Sequence, residues 1–373
     1  IRFSIIAAAL ATTSAQAEIT LALRAGTTPY PGTTTPITAE IRSATLHAGG
    51  VLLVTRTTAN ASSRYSLLQH KNNALTVVLN ETGGFPGGGD ILGISVASDG
   101  NVAYVIPSRA SGPTTATHDA LLRFENGAPT TLIPNSDALM TKGTLPSTSF
   151  ASPTAAAGRA AFAGRVGQFS HYLFRYQGST HTLVAQESVT AQPGTTGRFG
   201  SLALPRLSPD GTRLFFFGTN GQASNNAAYR SGYYVEQAGT ISRVIDDQTD
   251  IPGATVKFST SAQTAFYFSP DGAHTVIHGG GDINTSTGLP RRSGLYRYAN
   301  NNLTTAVDTT TTVGGQSITF SGGDVVVSND GTIYFIGAAS NRNHIYRALA
   351  NGQVELFFRG DGSEVQSISR LWL

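Results

Sequence analysis

The chain contains no cysteine, one methionine and one tryptophan, and only 13% of its residues are charged. The lack of cysteine excludes disulfide staples, thiol nucleophiles and thiolate metal sites. At 373 residues staples are not needed, because a chain this long buries enough apolar surface to hold a core. There is no run of lysine or arginine, and 25 basic residues face 22 acidic ones, for a formal charge of +3. Binding to nucleic acid by counterion release needs a concentrated basic face. Nucleic acid is therefore excluded as a partner in spite of the sequence pI of 9.2. Beyond the N-terminus no apolar stretch has the length of a membrane span. No sustained spacing of apolar residues by three and four marks a helix. The nucleophile elbow Gly-x-Ser-x-Gly and the loop spacings of known calcium sites are missing too, so neither cofactor nor metal is expected.

What the chain has in quantity is glycine, 42 residues, and a recurring phrase. It is clearest at Leu207–Phe217, where Ser-Pro-Asp-Gly precedes an apolar run, and at Phe268–Ile277. Val327–Ile336 and Val96–Val105 follow the same pattern, and degenerate copies lie at Leu46–Val54 and Ser152–Phe162. The turn glycines are Gly50, Gly100, Gly158, Gly211, Gly272 and Gly331, spaced by 50 to 61 residues. A second phrase keeps step with the first and ends at Gln69, Arg123, Arg175, Val235, Arg297 and Arg347. Two phrases in register over six copies define a true repeat.

Each repeat reads as four strands. In the fourth these are Leu202–Ser208, Arg213–Gly218, Gly232–Gln237 and Thr240–Ile245, with turns at Asp210-Gly211 and Ala238-Gly239. Aromatic and β-branched runs broken by Asp-Gly or Ala-Gly signal strands joined by hairpins. Units of four strands bury their faces only by stacking on one another. The expected fold is all-β: a six-bladed β-propeller of four-stranded antiparallel blades, with seven blades as the alternative. Ile19–Ala25 resembles a last strand of a unit, and Ser367–Leu373 a first strand; both are expected to help close the ring.

The Ser-Pro-Asp-Gly phrase followed by an apolar strand resembles the repeat of the TolB-type β-propeller family, closely in four units and loosely in two. The resemblance implies the fold. It does not imply the peptidase activity of family members that carry a hydrolase domain, since no such domain follows the repeats. The repeated aspartates are read as turn formers, with glycine supplying the positive φ.

At the N-terminus Arg2, the apolar Phe3–Ala11 and the small-residue exit Ala15-Gln16-Ala17 read as a secretory signal over residues 1–17. The domain is then 18–373, periplasmic or extracellular. His118, His171 and His344 fall at nearly the same place before the third strand of their units, with Arg230 and Arg292 near it in two others. These five form the candidate rim for binding. His274 and His278 have metal-pair spacing on a helix, but on a strand they sit about 13 Å apart. The third-strand arginines read as polar positions with packed stems, or as an anion-binding ring. Glu40, Asp90 and Asp324 are the few acids near the first strands.

Long polar loops between strands two and three, and after strand four, are the places for recognition. The reading is a non-enzymatic binding or scaffold module for a protein or glycan. The alternatives are a carbohydrate-active hydrolase or lyase working in the central channel, and a structural cell-surface repeat protein.

Overall fold

The computed structural model describes residue 31 and residues 40–47, 50–59, 62–72, 74–79, 91–109, 121–125, 128–133, 148–166, 170–178, 180–221, 228–259, 265–283, 290–339 and 342–359. The proposed signal, both spare terminal strands, His118 and Asp90 lie outside them. Among the described residues there is no helix. Six antiparallel sheets follow one another along the chain, each built from consecutive strands.

Sheet one is Glu40–His47, Gly50–Ala59, Ser62–Lys71 and Ala74–Leu79. Sheet two is Ile91–Ser98, Ala103–Arg109, Leu121–Glu125 and Ala128–Ile133. Sheet three is Thr148–Ala156, Arg159–Val166, Ser170–Gln177 and Thr180–Gln186. Sheet four is Phe199–Leu207, Arg213–Asn220, Ser231–Gln237 and Thr240–Asp246. In sheet five the first strand is split into Phe258–Ser259 and Ala265–Phe268, followed by Thr275–Ile283, Pro290–Ala299 and Asn302–Asp308. Sheet six is Thr319–Val327, Ile333–Ala339, Arg342–Ala348 and Val354–Phe358.

The second strands explain why the sheets stack. Side chains alternate between faces along a strand, and here both faces are apolar. Ala103 and Val105 pack with Leu52, Val54 and Leu67 of sheet one, whereas Tyr104 and Ile106 pack with Phe162 and Phe174 of sheet three. Leu214 and Phe216 face Leu173 and Ala161 of sheet three, whereas Phe215 meets Ile277 and Tyr296 of sheet five. Val276 and Leu295 then join Ile333, Phe335 and Tyr346 of sheet six. Five apolar seams thus link six sheets in chain order, and the first strands adjoin between sheets one and two, two and three, three and four, and five and six.

The Asp-Gly turns lie along one edge of this stack. Gly100, Gly158, Gly211, Gly272 and Gly331 all have φ between 67° and 96°, in the region that costs glycine least. Asp210, Asp271 and Asp330 each accept from the serine two residues before and from the backbone N–H two residues after. Asp99 accepts from Asn101 and Val102 and also reaches across to the Gly158 N–H at 2.7 Å. Sheet one differs. Gly50 is a strand residue paired with His47, and a Cβ there would meet the His70 carbonyl at 2.4 Å.

Two of the third-strand arginines, Arg175 and Arg297, are inter-sheet struts, whereas Arg123 pairs with Glu125 and Arg347 with Glu355 of their own sheets. Arg297 donates to the carbonyls of Gly331 and Leu349 in sheet six. Arg175 approaches Glu236 of sheet four at 2.7 Å. Second-strand arginines act alike: Arg159 donates to Gly211 O and Arg213 to Gly272 O. These bonds occupy guanidinium N–H groups of Arg159, Arg213 and Arg297 that would otherwise be left without a partner.

Two bulges recur. Between third and fourth strands the register slips once in every sheet, after Leu67, Leu121, Leu173, Tyr233, Leu295 and Ile345. Register also slips within the first strand of sheets one, two, three, four and six, and the first strand of sheet five is split. In sheet four this bulge holds Leu204 at φ 52°, with its side chain exposed. A bulge bends and twists the strand that carries it.

A pair of tyrosines at equivalent places gives opposite expectations. The Tyr234 hydroxyl is 2.7 Å from Gln192 Nε2, from which it accepts. Tyr296, in sheet five, is equally buried, but no described residue pairs with its hydroxyl, and Ile251 lies in its seam. Burial pushes both phenols well above their ordinary value. Tyr234→Phe should therefore cost about 1 kcal/mol, whereas Tyr296→Phe should cost nothing or stabilise by about 1 kcal/mol, because an unpaired buried hydroxyl is removed. Urea unfolding midpoints of the two variants check this.

Candidate functional site

In a four-strand meander the second-to-third loops and the connectors after the fourth strand leave the sheet at the same edge, opposite the Asp-Gly turns. Three connectors fold into small hairpins there. Residues 186–199 close on Phe199 N–H to Thr190 O, and residues 246–258 on Phe258 N–H to Thr249 O. In residues 308–318 Thr312–Val313 pairs with Gln316–Ser317, and Ile318 N–H donates to Thr311 O. One threonine hydroxyl in each accepts the first backbone N–H: Thr190 from Gln186, Thr249 from Asp246, Thr311 from Asp308.

Aspartate reaches this position only where the third strand has glycine opposite. Gly232 pairs Asp246, and Gly294 pairs Asp308. A Cβ on Gly294 would lie 2.3 Å from Val307 O and 2.7 Å from the Asp308 Cβ. In sheet three the equivalent pair is Tyr172 and Gln186. The Asp246 carboxylate accepts from the Thr249 hydroxyl and from Arg243. The Asp308 carboxylate accepts from Thr310 and, through its other oxygen, from Arg292 at 2.9 Å. Burial alone raises the Asp308 carboxyl, but the Thr310 and Arg292 bonds outweigh it and hold it below the usual range.

The bulges fix the alignment of the candidate rim residues. Arg230 and Arg292 both lie three positions before the third-strand bulge, and His118 has that numbering in sheet two, outside the described residues. His171 lies two positions before and His344 one. A step of one residue turns a side chain to the other face, so the five do not form one equivalent ring.

His171 Nδ1 is 2.7 Å from Glu187 Oε2, and the same oxygen accepts the His171 backbone N–H. In sheet four Asp247 occupies the place of Glu187 and accepts the Ser231 N–H, with Arg230 beside it. Burial raises the Asp247 carboxyl above its ordinary value, only partly offset by that N–H and by Arg230. Arg230 is also tied to the Tyr229 carbonyl, and its backbone pairs Asn220. His344 is different in kind: it is buried on the seam with sheet five, edge-on to Tyr346 at 6.1 Å.

The structure thus brings His171, Arg230 and Arg292 to one edge, each beside a hairpin carboxylate, and puts His344 inside a seam. The carboxylates Glu187 and Asp308 are residues that sequence reading missed. The signal was present: Ser-Gly at the third-strand start of sheets four and five, and Asp followed three residues later by Thr in the connector. Among the described residues no group of three histidine, aspartate or glutamate side chains has metal-site geometry. His278, one of the two spaced histidines, is buried. Glu40 opens the first strand of sheet one and Asp324 falls in the first strand of sheet six.

Residues 96–371 match the model of DUF7453, a family of unknown function, and the chain belongs to that family. No curated protein sequence matches it. Its solved structural neighbours include the β-propeller domain of the trilobed protease from Pyrococcus furiosus, at 9% identity and TM-score 0.48, covering 86% of each chain. They also include oligogalacturonate lyase from Vibrio parahaemolyticus, at 10% identity and TM-score 0.47, covering 84% of this chain and 76% of that one. TolB from Acinetobacter baumannii is similar at 15% identity and TM-score 0.34, covering 86% and 69%. These likenesses concern the fold alone.

Proposed function

We propose that the six sheets close into a six-bladed propeller of TolB-like type, secreted after loss of residues 1–17, and that it binds a protein or glycan without chemical conversion. The observation that carries this reading is topological. Both classes of long loop leave at the edge where His171, Arg230 and Arg292 stand. At the opposite edge every described Asp of the repeated phrase is committed to its turn. Loops on a rigid frame are the usual carriers of recognition.

The test is a screen of the secreted chain against a glycan array and a panel of purified envelope proteins. A ligand should be retained by the His344→Ala variant and weakened about tenfold by Arg230→Ala with Arg292→Ala, equivalent to about 1.4 kcal/mol. Turnover of a screened glycan, with no stable complex, would favour the channel-enzyme alternative and overturn this reading.

A further inference from the structure

The bulges make the fourth strands comparable residue by residue. Pairing across them aligns Leu79, Ala185, Ile245, Val307 and Phe358. The first four are at most 2% exposed, but Phe358 is 44% exposed and its neighbour Phe357 53%. In sheets one, three, four and five the residue aligned with Phe357 packs into the seam with the next sheet: Val78, Val184, Val244 and Ala306. In sheet six Phe357 contacts only side chains of its own sheet in the ring contacts described, Tyr334 and Arg347. Arg347, which as Arg175 or Arg297 would reach the next sheet, instead folds back on Glu355.

What covers these positions elsewhere is the connector that follows. Phe199, Ile251 with Phe258, and Ile318 are each buried against the fourth strand they follow. Ile318 belongs to Gln316-Ser317-Ile318-Thr319, eleven residues after Val307. The chain beyond Phe358 carries Gln366-Ser367-Ile368-Ser369, with Ile368 ten residues on.

We infer that the chain's own segment 360–373 docks on the open face of sheet six as a further inter-sheet connector, with Ile368 covering Phe358 as Ile318 covers Val307. Apolar surface of this kind drives burial whatever ligand the opposite loops take. The segment has the length, the position in the repeat and the matching tetrapeptide; a separate partner chain has no such support.

The chain's only tryptophan, Trp372, lies four residues past Ile368 and reports on the segment. In the full chain, amides of residues 361–371 should exchange at least about tenfold more slowly than in the free peptide, and Trp372 should resist acrylamide quenching. Phe357→Ser with Phe358→Ser should abolish both effects with the far-ultraviolet dichroism unchanged. Should that pair disturb the sheet, Ile368→Ser, placed in the segment itself, should give the same release. Free-peptide exchange in the unmodified chain overturns the inference, as does protection that neither variant alters. Protection lost on dilution, with dissociation of a dimer, assigns the face to a second copy and overturns it too.

Discussion

Glu236→Ala is expected to destabilise the folded chain by about 3–5 kcal/mol, because it strands a guanidinium between two sheets. Glu236 on sheet four and Arg175 on sheet three are 2.7 Å apart with side chains 8% and 15% exposed. Their N–H and oxygen are close but not aligned for a hydrogen bond, so the attraction is chiefly Coulombic. Glu236 is also held by the Gly239 N–H at 2.7 Å. Burial lowers the Arg175 pKa, Glu236 opposes that fall, and Arg159 adds to it. Replacing both partners, as Arg175→Met with Glu236→Leu, should recover most of the loss, since an apolar pair has no charge to desolvate. Denaturant midpoints of the two singles and the double form the test. Equal losses in the double and the single variants would show that packing, not charge, holds this seam.

The second large effect is a dependence on pH. Burial holds the His278 imidazole at about 4, against an unfolded value of about 6.5. Below 6.5 the unfolded chain takes a proton that the native site refuses, so unfolding is favoured as pH falls. The stability at issue is fully present above about 6.5 and declines through the window down to 4. At 1.36 kcal/mol per unit it amounts to roughly 3 kcal/mol. The depressed turn carboxylates act lower down. Asp271 is held down first by the Ser269 hydroxyl and Asp330 by that of Ser328. Their contribution is present above the ordinary carboxylate range and lost as pH falls through their native values. Unfolding free energies at pH 7 and pH 4.5 should converge in His278→Gln. A variant with the unaltered slope would locate the dependence elsewhere.

Elements ruled by local chemistry could be read from the sequence. Asp-Gly and Ala-Gly mark hairpins because glycine tolerates positive φ, and the strands of the fourth unit fall at Phe199–Leu207, Arg213–Asn220, Ser231–Gln237 and Thr240–Asp246, within three residues of expectation. The bulges could not be read. Every third-strand slip falls two residues before the end of the second repeated phrase, after Leu67, Leu121, Leu173, Tyr233, Leu295 and Ile345, but an apolar residue there does not by itself announce a slip. By sequence position alone His171, Arg230 and His344 fall at nearly one place; counted from the bulges, the three stand at successive registers. The arginine row was legible as a row, but its role was not, because the carbonyls of Gly331 and Leu349 that receive Arg297 lie 34 and 52 residues away. Polar connectors such as Asp246–Thr260 hid a hairpin, since Thr249 and Asp246 organise it through side chains.

Building every described sheet from consecutive strands has a mechanical consequence. Strands adjacent in sequence pair within one sheet, and each sheet is anchored mainly by its seams with the sheets before and after. Pulling on the C-terminus should strip the sheets one by one, sheet six first, giving a sawtooth of similar steps and not a single rupture. Refolding should run the other way, each four-strand unit forming on the exposed face of the last, as expected of nearest-neighbour architectures.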